Sequence, residues 1–249
     1  MVRLALISDI HEDLVSLQKA LRRINRHGYD LLACLGDICG FNIPNDRHAG
    51  ERNASACIAL IREHCDVVIP GNHDLHAASR LPSDWSLFGF PDNWYELSVE
   101  ERKDLGEGRL CFHDADLDAG LSEDDLTYLR ALPFHHVLGN GAERILLSHY
   151  ASPNLSGFAS RFYSREKEFR PHFDFMAAHD CRLAFIGHGH TQGFYRADRE
   201  HLKQYRFRKL LLKGGPQLIG VPALTRQSPL RGFCIYDTDR GLLRVRRIW

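Results

Sequence analysis

VRLALISDIH (residues 2–11) is an apolar run that ends in two polar residues, Asp9 and His11, and this pattern recurs along the chain. Four of five such clusters close a strand-like apolar run, whereas the fifth follows a turn at Pro70 and Gly71. Together the clusters hold seven side chains of metal-binding types: Asp9, His11, Asp37, Asn72, His149, His188 and His190. Since the ends of neighbouring strands meet at one edge of a sheet, we expect these side chains to converge.

The first third of the chain alternates between strands and helices. Residues 2–8, 31–35 and 67–69 read as buried strands. Between them, a helical stripe of leucines and Ile24 runs to Gly28, and a second stripe covers residues 54–65. This order predicts parallel strands joined by right-handed crossovers, with the polar clusters on one side.

The pattern changes after residue 75. Residues 75–132 are turn-rich, with helices predicted at 98–105 and 122–132, and they are interpreted as a helical cap or lateral insertion. Further strands are predicted at 134–138, 143–148, 182–186, 208–213, 217–221, 232–237 and 241–248. The last five are short and favour a second, mixed or antiparallel sheet. The fold class is therefore α/β, with two sheets flanked by helices in a single domain over residues 1–249.

Composition sets the broad class. Lys plus Arg and Asp plus Glu are 32 each among 249 residues, so no bulk field favours nucleic acid or a membrane surface. The run ArgValArgArg at 244–247 is interpreted as a strand end with solvated charges. Seven scattered cysteines without a CxxC pair, and no signal-like or membrane-spanning run, favour a reducing, cytoplasmic location.

The candidate ligands occur in pairs that suit a metal centre. Asp9 with His11, and His188 with His190, stand two positions apart, and in extended backbone such residues point to the same side. Carboxylate, amide and imidazole ligands suit Mn, Fe, Zn, Co or Ni. Seven ligands exceed the needs of one tetrahedral ion and fit two divalent ions that share a bridging carboxylate. Such a centre would promote in-line attack of a shared hydroxide on phosphorus.

Five short motifs carry a family resemblance. SerAspIleHis, GlyAspIleCysGly, GlyAsnHisAsp, SerHis and GlyHisGlyHis follow one another between residues 8 and 190. In this order they resemble the signature blocks of the calcineurin-like metallophosphoesterase superfamily, and most closely its compact bacterial and archaeal branch. The resemblance implies a four-layer α-β-β-α sandwich and a metal-dependent phosphoric ester hydrolase, a phosphatase or phosphodiesterase.

The resemblance also implies residue roles. Two sets of ligands are expected, one on each ion: Asp9, His11 and His190 on the first, and Asn72, His149 and His188 on the second. Asp37 would bridge the ions. His73 would contact the substrate phosphate together with Asn72, or protonate the leaving oxygen.

Two stretches depart from related patterns. The branch usually carries Gly-Asn after the first His, whereas Glu12 and Asp13 stand here and add negative charge beside the site. The protein phosphatases of the superfamily carry an Asp and an Arg shortly after the bridging Asp. Gly40, Phe41 and Asn42 occupy that stretch, which argues against protein phosphatase activity.

Several alternatives stay open. Arg161, with the aromatic Phe162 nearby, would bind a phosphate and stack a ring, or else belong to a helix with a solvated basic face. Most of the remaining histidines, a group that includes His48, His113 and His172, are interpreted as surface or loop residues. The expected partner is a small phosphoester such as a nucleotide. A nuclease is the second hypothesis, and a non-catalytic scaffold with this fold is the third. Monomer and homo-oligomer are both compatible with the sequence.

Overall fold

The computed structural model describes residues 2–43, 48–83, 87–140 and 144–249. Within these ranges it contains six α-helices: α1 Leu14–His27, α2 Ala54–His64, α3 Asn72–Ala77, α4 Val99–Gly106, α5 Glu123–Ala131 and α6 Arg170–Ala178. The strands are β1 Arg3–Ile7, β2 Leu31–Cys34, β3 Val67–Val68, β4 His135–Leu138, β5 Arg144–Ser148, β6 Cys181–Ile186, β7 Phe194–Ala197, β8 Leu202–Tyr205, β9 Lys209–Leu211, β10 Gln217–Gly220, β11 Gly232–Asp237 and β12 Leu242–Arg247.

Local sequence explains the first crossover helix. Asp13 caps α1 by accepting a hydrogen bond from the Ser16 backbone N at 3.0 Å. The stripe that includes Leu17, Leu21 and Ile24 is buried against the sheet. The helix stops at Gly28, whose φ of 70° suits glycine. The predicted helix and its end are confirmed.

Two six-stranded mixed sheets form the centre of the fold. The first has the order β3-β2-β1-β11-β12-β9, and the second has the order β4-β5-β6-β10-β7-β8. The strands β1, β2 and β3 are parallel, as predicted, and β5, β6 and β10 are parallel in the second sheet. Because parallel strands end on the same side, the loops after β1, β2, β5 and β6 can meet at one rim.

Three hydrophobic clusters define four layers. Side chains such as Leu6, Phe185 and Val245 pack between the two sheets. A second cluster joins the outer face of the first sheet to α1 and α2. A third joins the second sheet to α6 through residues such as Phe173. The predicted α-β-β-α sandwich is confirmed.

The sheet assignment of the later strands differs from the prediction. The last five predicted strands do not form one sheet, since β9, β11 and β12 complete the first sheet, whereas β6 and β10 belong to the second. The strands β7 and β8 were not predicted, because β8 is largely polar and half-exposed. Apolar runs indicate that a strand is buried, but not which strand it pairs with. The predicted strand 143–148 begins at Glu143, which lies outside the described residues.

The segment 75–132 packs into two separate hydrophobic clusters. Phe88, Trp94 and Leu110 form a small aromatic cluster with Leu75 and with Phe158 from the later half. In contrast, α5 packs onto the main core with α1 and α2, where Leu129 and Leu132 are buried. A single domain with an insertion at about 75–132 stays a prediction. Among the described residues, every helix is too short or too polar to span a bilayer.

Candidate metal centre

All seven predicted ligands meet at one rim of the sandwich. The carboxylate and imidazole members fall into two groups whose ligand atoms lie within 4.8 Å of one another: Asp9, His11, Asp37 and His190 in one, and Asp37, His149 and His188 in the other. Asp37 belongs to both groups. Asn72 adjoins the second, since its Oδ1 lies 3.1 Å from Nε2 of His149. The structure thus brings together every residue of the predicted set.

The backbone that aims these side chains is not extended. Asp9, His11 and Asp37 have φ values of 54°, 48° and 53°, and His188 and His190 have values of 63° and 43°. The expectation that paired ligands share a side because the backbone is extended is therefore wrong. Each strand turns through the left-handed region, which costs an ordinary residue about 1–2 kcal/mol. Hydrogen bonds between loops, such as Asp9 N to Gly36 O at 2.9 Å, hold the turns.

Two glycines permit the close approach of these loops. A Cβ on Gly71 would overlap the carboxylate of Asp37, and one on Gly187 would overlap the hydroxyl of Ser8. The strand ends of the two sheets are also joined directly, because the His188 backbone N donates to Oδ1 of Asp9 at 3.0 Å. These two glycines beside the ligands are therefore required for the loops to converge.

The hydrogen bonds of His11 fix which nitrogen faces the site. Its Nδ1 lies 2.7 Å from Gly40 O, a carbonyl that only accepts, so Nδ1 carries the proton. The Nε2 lone pair of the neutral ring then faces Nε2 of His190 at 2.9 Å and Oδ2 of Asp37 at 3.8 Å. Acceptors that face each other in this way suit a shared cation.

His149 shows the same arrangement. Its Nδ1 donates to Leu35 O at 2.6 Å, so Nε2 faces the interior of the site. There it meets Asn72 Oδ1 at 3.1 Å, Asp37 Oδ2 at 3.2 Å and His188 Nδ1 at 3.2 Å. Four acceptor atoms thus point at one space. This donor set, rich in imidazole with two carboxylates and no thiolate, fits divalent transition metals.

The pKa values of the histidines in the site agree with a role in binding a cation. Burial opposes the charged form of His149, but the charge of Asp37 overcomes it and raises the pKa of His149 to about 9. Burial, together with positive neighbours, lowers the pKa of His11 and of His188 to about 3, so both rings stay neutral and can donate a lone pair. A proton on His149 occupies the place that a cation would take.

His73 stands beside the centre and is held by two carboxylates. Its backbone N donates to Asp37 Oδ1 at 3.0 Å, and its Nδ1 lies 2.5 Å from Asp116 Oδ2. Against the effect of burial, Asp37 and Asp116 raise the pKa of His73 to about 9. The imidazolium form of His73 is thus stabilised next to the ligand cluster.

Asp74 connects two of the ligand loops. Its Oδ1 accepts from the backbone N of Ile38 and of Cys39, each at 2.9 Å, and its Oδ2 accepts from Gly71 N at 2.9 Å. These bonds tie the loop that carries Asp37 to the start of α3.

Sequence reasoning missed two residues of the site, His113 and Asp116. His113 is buried, and its Nε2 accepts from Asn72 Nδ2 at 3.0 Å, which turns Oδ1 of Asn72 toward His149. His113 and His48 lie in loops, although both are buried, whereas His172 is fully buried on α6, so the surface-or-loop interpretation is wrong for His172. The only local signal was the run HisAspAlaAsp at 113–116 within a segment that lacks any regular pattern.

The two acidic residues after His11 do not leave unbalanced charge. Glu12 is fully buried and lies 3.1 Å from Nε of Arg52. The Asp13 carboxylate accepts two hydrogen bonds from Arg226, one from Nε to Oδ2 at 3.1 Å and one from Nη2 to Oδ1 at 3.0 Å. The expected increase in negative charge beside the site is therefore offset by two arginines, whose partners could not be foreseen from the sequence.

A cavity of about 340 Å³ opens over the cluster. Its walls include Asn42, Phe112, Phe162 and Gln227 in addition to the ligands and His73. The ring of Phe162 stacks on His188, with centroids 4.8 Å apart and planes 19° apart, and its side chain is half-exposed. Arg161 does not line this cavity, because its guanidinium pairs with Glu168 and its side chain is 76% exposed.

Comparison with known proteins identifies the family. A model of the calcineurin-like phosphoesterase family matches residues 2–192, and the chain belongs to that family. MJ0912, an uncharacterized protein of Methanocaldococcus jannaschii, is 37% identical over 82 residues, which span 33% of this chain and 30% of that protein.

Solved structures show the same architecture. A metallophosphoesterase from Sphaerobacter thermophilus has a TM-score of 0.66 at 20% identity, covering 99% of this chain and 87% of its own. The hypothetical protein PH1004 from Pyrococcus horikoshii OT3 has a TM-score of 0.61 at 15% identity, covering 99% and 88%. At such identities the likeness concerns the fold.

Proposed function

We propose that this protein hydrolyses a phosphomonoester or phosphodiester of a small molecule at a centre of two divalent metal ions. One observation carries the proposal: two groups of ligand atoms share the carboxylate of Asp37, and His73 stands beside them. Membership of the calcineurin-like phosphoesterase family supports the same reaction class.

The ligands are assigned to two ions. One ion would be held by Asp9, His11 and His190, and the other by Asn72, His149 and His188, with Asp37 between them. When bound, the ions supply Lewis acidity, which polarises phosphate oxygens and lowers the pKa of water. The hydrogen bonds that Nδ1 of His11 and of His149 donate to backbone carbonyls keep both Nε2 lone pairs directed to where the ions would bind.

His73 is assigned the role of general acid. Its Nδ1 is engaged by Asp116, so Nε2 is the ring nitrogen that remains to give a proton to the leaving oxygen. The raised pKa keeps this proton in place at neutral pH. Before transfer, the imidazolium also attracts the phosphate, which explains why a single residue serves binding and catalysis.

The cavity favours a small substrate over a nucleic acid strand. Phe162 presents an exposed ring at its mouth, and Phe112 stands on another wall, so a leaving group with a ring would find a stacking surface. Equal numbers of acidic and basic residues give no excess positive charge for a polyanion. A phosphoester with an aromatic or nucleobase-bearing leaving group is the substrate class we propose.

All seven cysteines are unpaired, which suits a reducing compartment and supports a cytoplasmic location.

The activity is tested by assaying metal-loaded protein on p-nitrophenyl phosphate, bis-p-nitrophenyl phosphate and a set of nucleotides. Hydrolysis of at least one class is expected, with rates that depend on added Mn²⁺, Zn²⁺ or Co²⁺. No hydrolysis of any of them would contradict the proposal. Salt-sensitive binding of single strands by the metal-free protein would instead favour a nuclease.

A further inference from the structure

The run ArgValArgArg at 244–247 consists only in part of solvated charges, since Arg247 is exposed as its sequence suggested, whereas Arg244 and Arg246 are half-buried. The Arg244 side chain is only 24% exposed. Nε of Arg246 is buried and has no hydrogen-bond partner within the described ranges. Burying part of a guanidinium without a partner costs free energy, so Arg246, with the half-buried Arg244 beside it, indicates a site that takes a counter-ion.

Strand pairing places these arginines on one face of the first sheet. Arg3 of β1 stands opposite Asp237 of β11, and Ile235 of β11 stands opposite Arg244 of β12. Since alternate residues of a strand share a face, Arg246 points the same way as Arg244. The end of α1 covers this face, because the His27 ring lies 6.1 Å from that of Phe233.

Between the sheet and the end of α1 lies a pocket of about 250 Å³, called here the arginine pocket. Its charged lining consists of four arginines and one carboxylate: Arg3, Arg240, Arg244, Arg246 and Asp237. These groups leave a net charge of +3. Asp237 balances little of it, since its Oδ2 lies 4.0 Å from Arg244 Nη1 and 3.9 Å from Arg240 Nε.

The lowered pKa of the neighbouring His27 agrees with a positive potential in the pocket. Burial and the charges of Arg246, Arg23 and Arg244 lower the pKa of His27. A cation is therefore disfavoured in this pocket and an anion is favoured. Guanidinium groups bind phosphate oxygens in pairs, which makes phosphate the natural anion for such a lining.

We propose that the arginine pocket binds an oligophosphate anion, such as pyrophosphate or tripolyphosphate, or the same group on a larger ligand. A chain of phosphates carries enough charge to balance the lining, whereas one phosphate does not. Apart from the His27 ring, Ile235 is the one side chain without a charged group among the described lining residues, so charge dominates the recognition that the pocket offers.

This site is separate from the metal centre. Arg3 begins β1, whereas Asp9 follows its other end, so six residues at about 3.3 Å each place the two about 20 Å apart. Binding in the arginine pocket therefore needs neither metal nor turnover, and it can be measured whether or not the protein hydrolyses phosphoesters.

The proposal is tested by titrating tripolyphosphate into the metal-free full chain and measuring the heat of binding. The wild-type protein is expected to bind one anion, with a Kd that rises with salt. The double variant R244A/R246A is expected to weaken binding by about tenfold or more. The matched control R22A/R170A removes the same charge from exposed positions outside the pocket and should keep the Kd within about twofold.

Two results would overturn the proposal: no saturable binding to the wild-type protein, or an equal Kd for R244A/R246A and R22A/R170A. If circular dichroism shows that the double variant does not fold, R240A replaces it, since that side chain is 64% exposed in the turn after β11. R240A should weaken binding by about threefold or more, and an unchanged Kd for R240A would equally refute the site.

Discussion

Nδ1 of His73 lies 2.5 Å from Oδ2 of Asp116, although the two residues are 43 positions apart. His73 opens α3 next to the ligand Asn72, whereas Asp116 belongs to the irregular segment that precedes α5. The pair therefore links the segment 75–132 to the candidate metal centre. It also places a carboxylate where it orients the ring of His73, the proposed general acid.

The first prediction concerns this pair. D116N should lower kcat by about 10- to 100-fold with little change in KM, because the general acid loses its orientation and part of its proton affinity. The basic limb of the pH profile should move to lower pH by about one unit, since a carboxylate that raises the pKa of His73 is removed. Steady-state kinetics between pH 6 and 10 measure both effects.

Asp114 offers the matched control for that experiment. It lies two residues away and pairs with Arg102 instead of His73. D114N should therefore keep the wild-type pH profile. An identical profile for D116N and the wild-type protein would show that Asp116 does not act through His73.

The second prediction concerns the shared ligand. D37N should abolish measurable turnover, because the residue common to both ligand groups loses its charge. The metal-free variant should unfold at a lower temperature than the wild-type protein, since His149 and His73 lose the carboxylate that raises their pKa. Activity assays and thermal unfolding of the metal-free proteins test the two parts separately. Unchanged activity in D37N would remove the bridging role.

The third prediction concerns substrate choice. F162A should raise KM by about three- to tenfold for p-nitrophenyl phosphate but leave KM for glycerol phosphate unchanged, since the stacking surface serves only ring-bearing leaving groups. R161A is the control, because Arg161 is the adjacent residue and pairs with Glu168 outside the cavity. Equal effects of F162A on both substrates would argue against a stacking role.

The fourth prediction concerns stability and uses a histidine away from the metal centre. His172 is fully buried on α6, and its Nδ1 accepts from Ser152 N at 3.0 Å. Burial lowers the pKa of His172 from 6.5 to about 3. Between these pH values the unfolded chain binds the proton and the folded one does not, so stability falls as the pH decreases below about 6.5.

His172 should contribute about 1.4 kcal/mol per pH unit to this loss. In H172Q, whose amide oxygen can still accept from Ser152 N, the decrease in unfolding free energy between pH 6.5 and 4.5 should be smaller by about 2 kcal/mol. Urea unfolding of both metal-free proteins at each pH measures it. If the unfolding free energies of H172Q and the wild-type protein fell equally with decreasing pH, His172 would take up a proton in the folded state as readily as in the unfolded chain.

How far the sequence predicts this site depends on how local each signal is. Asp9, Asp37, His149 and His188 could be found because each follows a buried apolar run, and parallel strands must end on one side. Their left-handed φ values could not be foreseen, since loop backbone is set by contacts between loops, such as the bond from His11 N to Asp37 O.

Other features depend on contacts between distant residues. Glu12 is paired with Arg52, and Asp13 with Arg226, which is 213 positions away. The pairing of β1 with β11 likewise joins the two ends of the chain, and it placed β11 in the first sheet against expectation. Apolar periodicity identifies such strands, but it carries no information about their partners.

Anomalous diffraction from crystals soaked in Mn²⁺ tests the central claim most directly. We expect two peaks per chain, one against Asp9, His11 and His190 and the other against Asn72, His149 and His188, with the Asp37 carboxylate between them. A single peak, or peaks that do not contact Asp37, would contradict the account.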